Sequence, residues 1–514
     1  MPCPAPRRWP LLGLALLAVL PFARTRSDAA GQAKAVNPRD RIFGANNCIR
    51  CHREPTPEDR RPGGATDLLR MDESAIWQRE DLHGRAFEAL SSPLAKRMQT
   101  VLKYDVTKRT ECLCCHAVDL VPEKKPADKA DGDFYWDFGV GCEACHGFAK
   151  EWNTPHANST WRAFTPADKA KLGQVDLRDP ATRAGRCAAC HVGSPADGKV
   201  VTHEMYAAGH PPLPPLEVMT LSRDQPMHYK WPKDLPYFQT LDPTKAWELF
   251  HYRKGESQPA RLVALGALGT FRAAVRTLAQ AAEEAHSRNG LLDFAHFDCA
   301  ACHHDLKLPS WRQQRGFAGA PGRPLPNTGP LALLRVVLDH GAAVAPDLKP
   351  LADQFAGKHA QLVKAFDARP FGDPAAVAAA TRDLAAWADS AEKGLEAVVY
   401  TPEETRKLLA MIAATAAAPA KAPSPGLDFD AAQQLYWAFE VLRDECLDLP
   451  AAVKTESESL SGGLMIGRLK GNDQPRPFIS DEQKGPLKDR LKRSANYDPA
   501  AFRAAFAKIH ASLR

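Results

Sequence analysis

Five copies of one short pattern constrain this chain more than anything else in its 514 residues. They are Cys48-Ile-Arg-Cys51-His52, Cys112-Leu-Cys-Cys115-His116, Cys142-Glu-Ala-Cys145-His146, Cys187-Ala-Ala-Cys190-His191 and Cys299-Ala-Ala-Cys302-His303. Two thiols three residues apart on one helical turn can each add to one vinyl group of a single porphyrin. The residue after them can then offer its imidazole to the iron. At this cysteine and histidine content, one such pattern arises by chance about once in a hundred chains, so five are not accidental. Structural zinc uses paired Cys-x-x-Cys units without a histidine after every second cysteine, and a thioredoxin-like redox site needs one pair. The spacing therefore predicts five covalently attached c-type haems, with His52, His116, His146, His191 and His303 as proximal ligands. Ten of the thirteen cysteines are absorbed in this way, leaving Cys3, Cys114 and Cys446 as incidental thiols.

Porphyrins are bulky and apolar, and roughly fifty residues per motif between Cys48 and His303 are too few for five separate side-chain cores. The haems must fill much of that interior. The sequence predicts a mainly α fold with little regular sheet, divided into residues 1–30, 31–315, 316–330 and 331–514. The first segment has Arg7 and Arg8 ahead of the apolar run Leu11 to Leu20, then small residues around Ala29 and Ala30, and reads as a cleavable secretion signal. No later run approaches the 18 or so consecutive apolar residues of a membrane span, so the mature chain is expected to be periplasmic without a transmembrane segment. Residues 31–315 form the pentahaem unit, with a long helix expected from Gln258 to about His286 and a Pro-rich wrapping loop over 211–243. The Gly/Pro-rich stretch 316–330 reads as a linker. Beyond it, Asp373-Pro374, Asp498-Pro499 and a capping box at Thr401-Pro-Glu-Glu404 mark the starts of helices in a C-terminal bundle. Further helices are expected near 331–345, 348–367 and 429–446, with Cys446 inside the last, and 455–490 reads as polar coil.

The formal charge of +6 carries little information about partners. Arg7, Arg8, Arg24 and Arg26 against Asp28 place +3 of it in the leader. Each haem brings two propionates against one net positive charge on ferric iron, so five subtract about five more. With no dense Lys/Arg run, no nucleic-acid partner is expected; redox partner proteins are expected, a membrane quinol-linked donor among the options.

Each iron has a sixth position, and twelve histidines remain to fill it. Bis-histidine ligation closes the iron and suits electron transfer; an open position would suit catalysis, and methionine (Met98, Met205, Met219 or Met227) would raise the potential. The segment Gly139-Val-Gly-Cys-Glu-Ala-Cys-His-Gly147, followed by Trp152 and His156, resembles the third haem site of the tetrahaem cytochrome c-554 family, part of the wider group containing hydroxylamine oxidoreductase and nitrite reductase. The tracts Met205-Tyr-Ala-Ala-Gly-His210 and Cys299-Ala-Ala-Cys-His-His-Asp305, with Ser310-Trp-Arg312, resemble those of larger multihaem cytochromes. The resemblance runs from about residue 45 to 315. Four motif positions match the tetrahaem pattern, and the fifth motif and C-terminal third do not. It implies that His83 is distal ligand to the third haem and His156 to the first. His203 and His210 then serve the fourth and fifth haems, or one of them the second; His296 and His304 are weaker candidates. His340, His359 and His510 lie in the helical tail and read as structural. The resemblance also implies a five-coordinate second haem, whereas the Cys-x-x-Cys-Lys motif of pentahaem nitrite reductase is absent. The leading expectation is an electron carrier. The rival is a multi-electron oxidoreductase acting on a small nitrogen or sulfur compound at one open haem, and a third option is a component of a larger respiratory assembly.

Overall fold

The computed structural model describes residues 42–61, 69–117, 139–315, 322–327, 329–419, 428–464 and 486–514; the secretion signal read over 1–30 lies outside them. The fold is mainly α. Among the described residues there are 22 α-helices and no strand, only two isolated bridges, Ser194 with Lys199 and Phe297 with Pro326.

The long helix runs Gln258–Ser287, 30 residues, started by the Ser257 side chain accepting from Ala260 N–H with proline in the first turn. Its apolar residues face several neighbours at once, so no single face would cover them. It is the one described helix long and apolar enough to cross a membrane, and 78% of its apolar window is buried inside the protein. On one side it packs against Pro180–His191, the helix that ends in the fourth motif; on the other against Pro374–Ala397 and Leu331–Val344. The approach to the fourth-motif helix depends on small residues. A Cβ at Gly269 would lie 2.8 Å from the Ala184 Cβ, so the helices meet almost backbone to backbone there.

The helices after residue 330 pack directly on the long helix. One continuous core runs from Ala184 through the long helix to Trp437, Phe502 and Phe506 at the far end of the chain. The reason is that a helix buried on nearly every side needs partners from both halves. Arg261, 1% exposed, adds a polar tie by donating to the carbonyls of Val398 and Glu396.

The C-terminal helices begin largely where their capping residues say. Asp373 accepts from Ala376 N–H and Asp498 from Ala500 and Ala501 N–H. Thr401 accepts from Glu404 N–H, but the Glu404 carboxylate binds His340 Nε2 at 3.0 Å and Lys407 instead of closing a capping box. Helices occupy Leu331–Val344, Lys349–Asp367 and Phe429–Glu445, with Cys446 as the C-cap outside the last. Of the coil expected over 455–490, residues 465–485 lie outside the described residues, and the rest is helical, within Ala451–Leu464 and Pro486–Asn496. The first of these packs under the bundle, where Tyr436 donates to Ser457 O and Trp437 to Leu464 O.

A buried carboxylate joins the first and third motifs. Glu143, 4% exposed, accepts from Phe43 and Gly44 N–H, both at 2.8 Å, and from Ala149 N–H at 2.7 Å. A smaller apolar cluster of Leu90, Val106 and Leu113 seats the second motif.

Candidate haem-binding sites

Each of the five motif histidines faces one other histidine. The ring centres are 6.2 Å apart for His52 and His156, 6.2 Å for His83 and His191, and 6.4 Å for His116 and His210. They are 6.4 Å apart for His146 and His228 and 6.5 Å for His203 and His303. Two metal–imidazole bonds of about 2 Å, with each nitrogen about 1.1 Å from its ring centre, place two ligating rings about 6.3 Å apart. All five pairs fall at that spacing. Among the described residues no group of three or more His, Cys, Asp or Glu side chains gathers as a conventional metal site. The facing imidazoles would hold an iron between them, and a porphyrin would supply its remaining donors. The donor set fits haem.

The ring nitrogens support the same fit. His52 Nδ1 is 3.1 Å from Glu73, His83 Nδ1 3.0 Å from Asp81, and His116 Nδ1 donates to Ala86 O at 2.9 Å. His210 Nδ1 donates to Pro211 O at 2.8 Å, His228 Nδ1 to Pro226 O at 3.4 Å, and His156 Nδ1 to Asn153 O. In all six the partner sits on Nδ1, which fixes the tautomer and leaves Nε2 bare for a metal. His251 and His340, which belong to no pair, spend Nε2 on Asp176 and Glu404. Unpaired His304 and His359 also have their partners on Nδ1, so it is the facing ring as well as the bare Nε2 that marks the paired set.

Burial keeps most of the paired rings neutral, as a ligand must be. It pushes His146, His191 and His210 down to about 4 and lowers His116, His156 and His228. The Glu73 hydrogen bond raises His52. Burial pulls His83 down, but Asp81, itself 3% exposed, outweighs it and the net shift is upward.

Local sequence explains how each ring is aimed. The Asp81 carboxylate caps the 3₁₀ segment Leu82–Ser91 by accepting from His83 N–H and also grips the ring. His203 opens the helix His203–Ala208, its N–H donating to Asp293 just ahead of the fifth motif. Gly209, at φ +124°, ends that helix and turns the chain to His210.

His156 faces the first motif as the resemblance implies. His203 faces the fifth, and His210 the second. Two implications change. His83 faces His191 of the fourth motif, not His146 of the third. Its backbone is held by the third-motif segment, Val140 N–H donating to His83 O at 2.8 Å, while Asp81 turns the ring the other way. The ring opposite His146 is His228, in the Pro-rich loop, where no local pattern marks it as a ligand. The second motif, which the resemblance leaves five-coordinate, has His210 in the facing position. Neither His296 nor His304 stands opposite a motif histidine, and His304 Nδ1 donates to Asp305 O.

The attachment cysteines also come together across motifs. Cys48 meets Cys142, and Cys115 meets Cys190. Cys145 lies close enough to Cys187 and Cys190 to feel both. Tyr206, near Cys299, stacks edge-on to His210 at 6.0 Å and so links the second and fifth sites. Cys51 at one end and Cys299 and Cys302 at the other are exposed. Cys114, 2% exposed, points its thiol at Gly198 O at 3.4 Å and lies 4.0 Å from Cys115 Sγ.

Attachment cysteines, a motif histidine and a facing imidazole with its free Nε2 define a c-type cytochrome, with covalently bound haem and electron transfer as its work. Residues 47–147 match the family model for cytochrome c554 and c-prime, about a fifth of the chain and its first three motifs. That segment is c554-like. Searches of curated proteins and of solved structures found no match.

Proposed function

We propose that the chain is a pentahaem electron-transfer cytochrome in which every iron is closed by two histidines. The single observation that carries this is the common 6.2–6.5 Å spacing of five imidazole pairs, one per motif. When bound, haem supplies a one-electron carrier at each pair. The ligands are His52 and His156, His116 and His210, His146 and His228, His191 and His83, and His303 and His203; the thioethers come from the ten motif cysteines. The meetings of cysteines, with Tyr206 between the second and fifth sites, support the order first, third, fourth, second, fifth, with the exposed thiols at the two ends where redox partners dock. Residues 1–30 and the attachment chemistry, which takes place outside the cytoplasm, support a periplasmic location; a quinol-linked membrane protein is one candidate donor. An oxidoreductase role would need an open sixth position, and the facing imidazole at all five sites argues against it.

Haem content by pyridine haemochrome and intact mass, with ferric EPR, tests the reading. The ring planes cross at 9° and 24° in the His52/His156 and His203/His303 pairs, but at 79–86° in the other three. Near-parallel rings split the iron dπ orbitals and give rhombic low-spin signals; crossed rings leave them nearly degenerate and give large-gmax signals. Five haems in a 2:3 ratio of these classes is expected. A stoichiometric high-spin signal in the untreated protein would overturn the closed-site reading.

A further inference from the structure

The helix Pro180–His191 carries more than the fourth motif. Arg183, Cys187, Cys190 and His191 recur at helical spacing and share one face, so the arginine looks into the haem-bearing interior. Its guanidinium lies 4.4 Å from the centre of the Tyr229 ring and 5.7 Å from that of Trp231. Tyr229 directly follows His228, and Arg183 is an electrostatic neighbour of both His146 and His228. The other groups around it are Cys187 and Tyr252, and no carboxylate among the described residues pairs with it. A guanidinium enclosed by aromatic rings without an anion is unfavourable, because the rings replace only part of its lost hydration. Stacking also holds the planar fork in one orientation; one hydrogen bond goes to Tyr229, and the fork has further N–H groups to offer a two-oxygen acceptor. A porphyrin carries two such groups.

We propose that Arg183 is the counter-charge of a haem propionate at the third site, and that its positive charge favours the reduced state there. This rests on the pentahaem reading. A cation beside the iron stabilises the form carrying the extra electron, and neutralising the propionate acts in the same direction.

The test uses the holoprotein with Arg183→Gln and Arg183→Lys, followed by spectroelectrochemical titration, haem quantitation and resonance Raman. Arg183→Gln is expected to keep five haems while shifting one centre about tenfold toward the oxidised form, 59 mV lower for a one-electron couple. That centre also becomes more pH-dependent as its propionate titrates. Arg183→Lys is expected to restore most of the potential, but to shift the propionate bending band because an ammonium cannot pair through a fork. Unchanged potentials in Arg183→Gln with haem content intact would overturn the proposal. Should Arg183→Gln fail to accumulate, an unmoved propionate band in Arg183→Lys would overturn it equally. Fewer than five haems in the unmutated protein would instead overturn the pentahaem reading.

Discussion

Replacing Glu143 with alanine removes the acceptor for three backbone N–H groups and leaves the haem attachment residues themselves untouched. Two of those hydrogen bonds, to Gly44 and Ala149, are buried, and the third, to Phe43, is half-buried. A buried donor left without a partner costs about 1–3 kcal/mol, and less where water can reach it. The expected loss is about 3–5 kcal/mol, at the upper end for one substitution. Glu143→Gln separates charge from geometry. Its single carbonyl oxygen can take the place of Oε1, which serves both Phe43 and Ala149. Its NH₂ group then confronts Gly44 N–H, so about 1–2 kcal/mol is lost. Guanidinium unfolding of the holoprotein, followed by Soret absorbance and far-UV circular dichroism, gives the ranking. Limited proteolysis should cut the alanine variant first within residues 42–50, since that segment loses its tie to the third motif. If Glu143→Ala unfolds within about 0.5 kcal/mol of the parent, the size of an ordinary surface substitution, the carboxylate does not join the two motifs and the reasoning fails.

His228→Ala should leave five haems attached but turn one of them high-spin, so that one carbon monoxide binds per reduced molecule; a fully low-spin spectrum would dismiss His228 as a ligand. Asp81→Asn weakens the anionic partner of His83 Nδ1, makes that imidazole a poorer donor, and should raise one midpoint potential by about one tenfold step, ~59 mV. Asp428 caps the helix Phe429–Glu445 and is pushed up to about 7, chiefly by burial and then by Asp430 and Asp298. With its folded value above the unfolded one, its favourable contribution is complete below about pH 4 and is lost as pH rises through 7, by up to about 4 kcal/mol. Asp428→Asn keeps the cap and should flatten the decline in melting temperature between pH 5.5 and 8; an unchanged slope would show that Asp428 does not titrate there.

The motifs were legible because attachment is local chemistry, with two thiols and an imidazole within five residues. Their facing partners were legible only in part, because such a partner is chosen by tertiary structure and carries no pattern of its own. His83 shows the difficulty: its main chain belongs with the third motif and its ring with the fourth, and only the Asp81 side chain decides between them. His228 sits after Pro226 and Met227 in a segment whose prolines say loop and nothing more. Helix starts in the C-terminal third were readable from Asp-Pro and Thr-Pro pairs. That the third shares a core with the haem-bearing half was not, although the all-round apolar character of Gln258–Ser287 held the clue: such a surface asks for more neighbours than the first half can supply.

The short helix His203–Ala208 acts as a ruler. His203 stands at its first residue and His210 just beyond its last, so the fifth and second pairs are fixed to one rigid body about 10 Å long at 1.5 Å per residue. Tunnelling rates fall exponentially with distance, so a change of a few tenths of an ångström alters flow between neighbours measurably. A Cβ at Gly209 would meet the Leu94 side chain at 3.1 Å. A bulkier residue there would tilt both imidazoles together and detune two junctions at once, from a position that binds nothing itself.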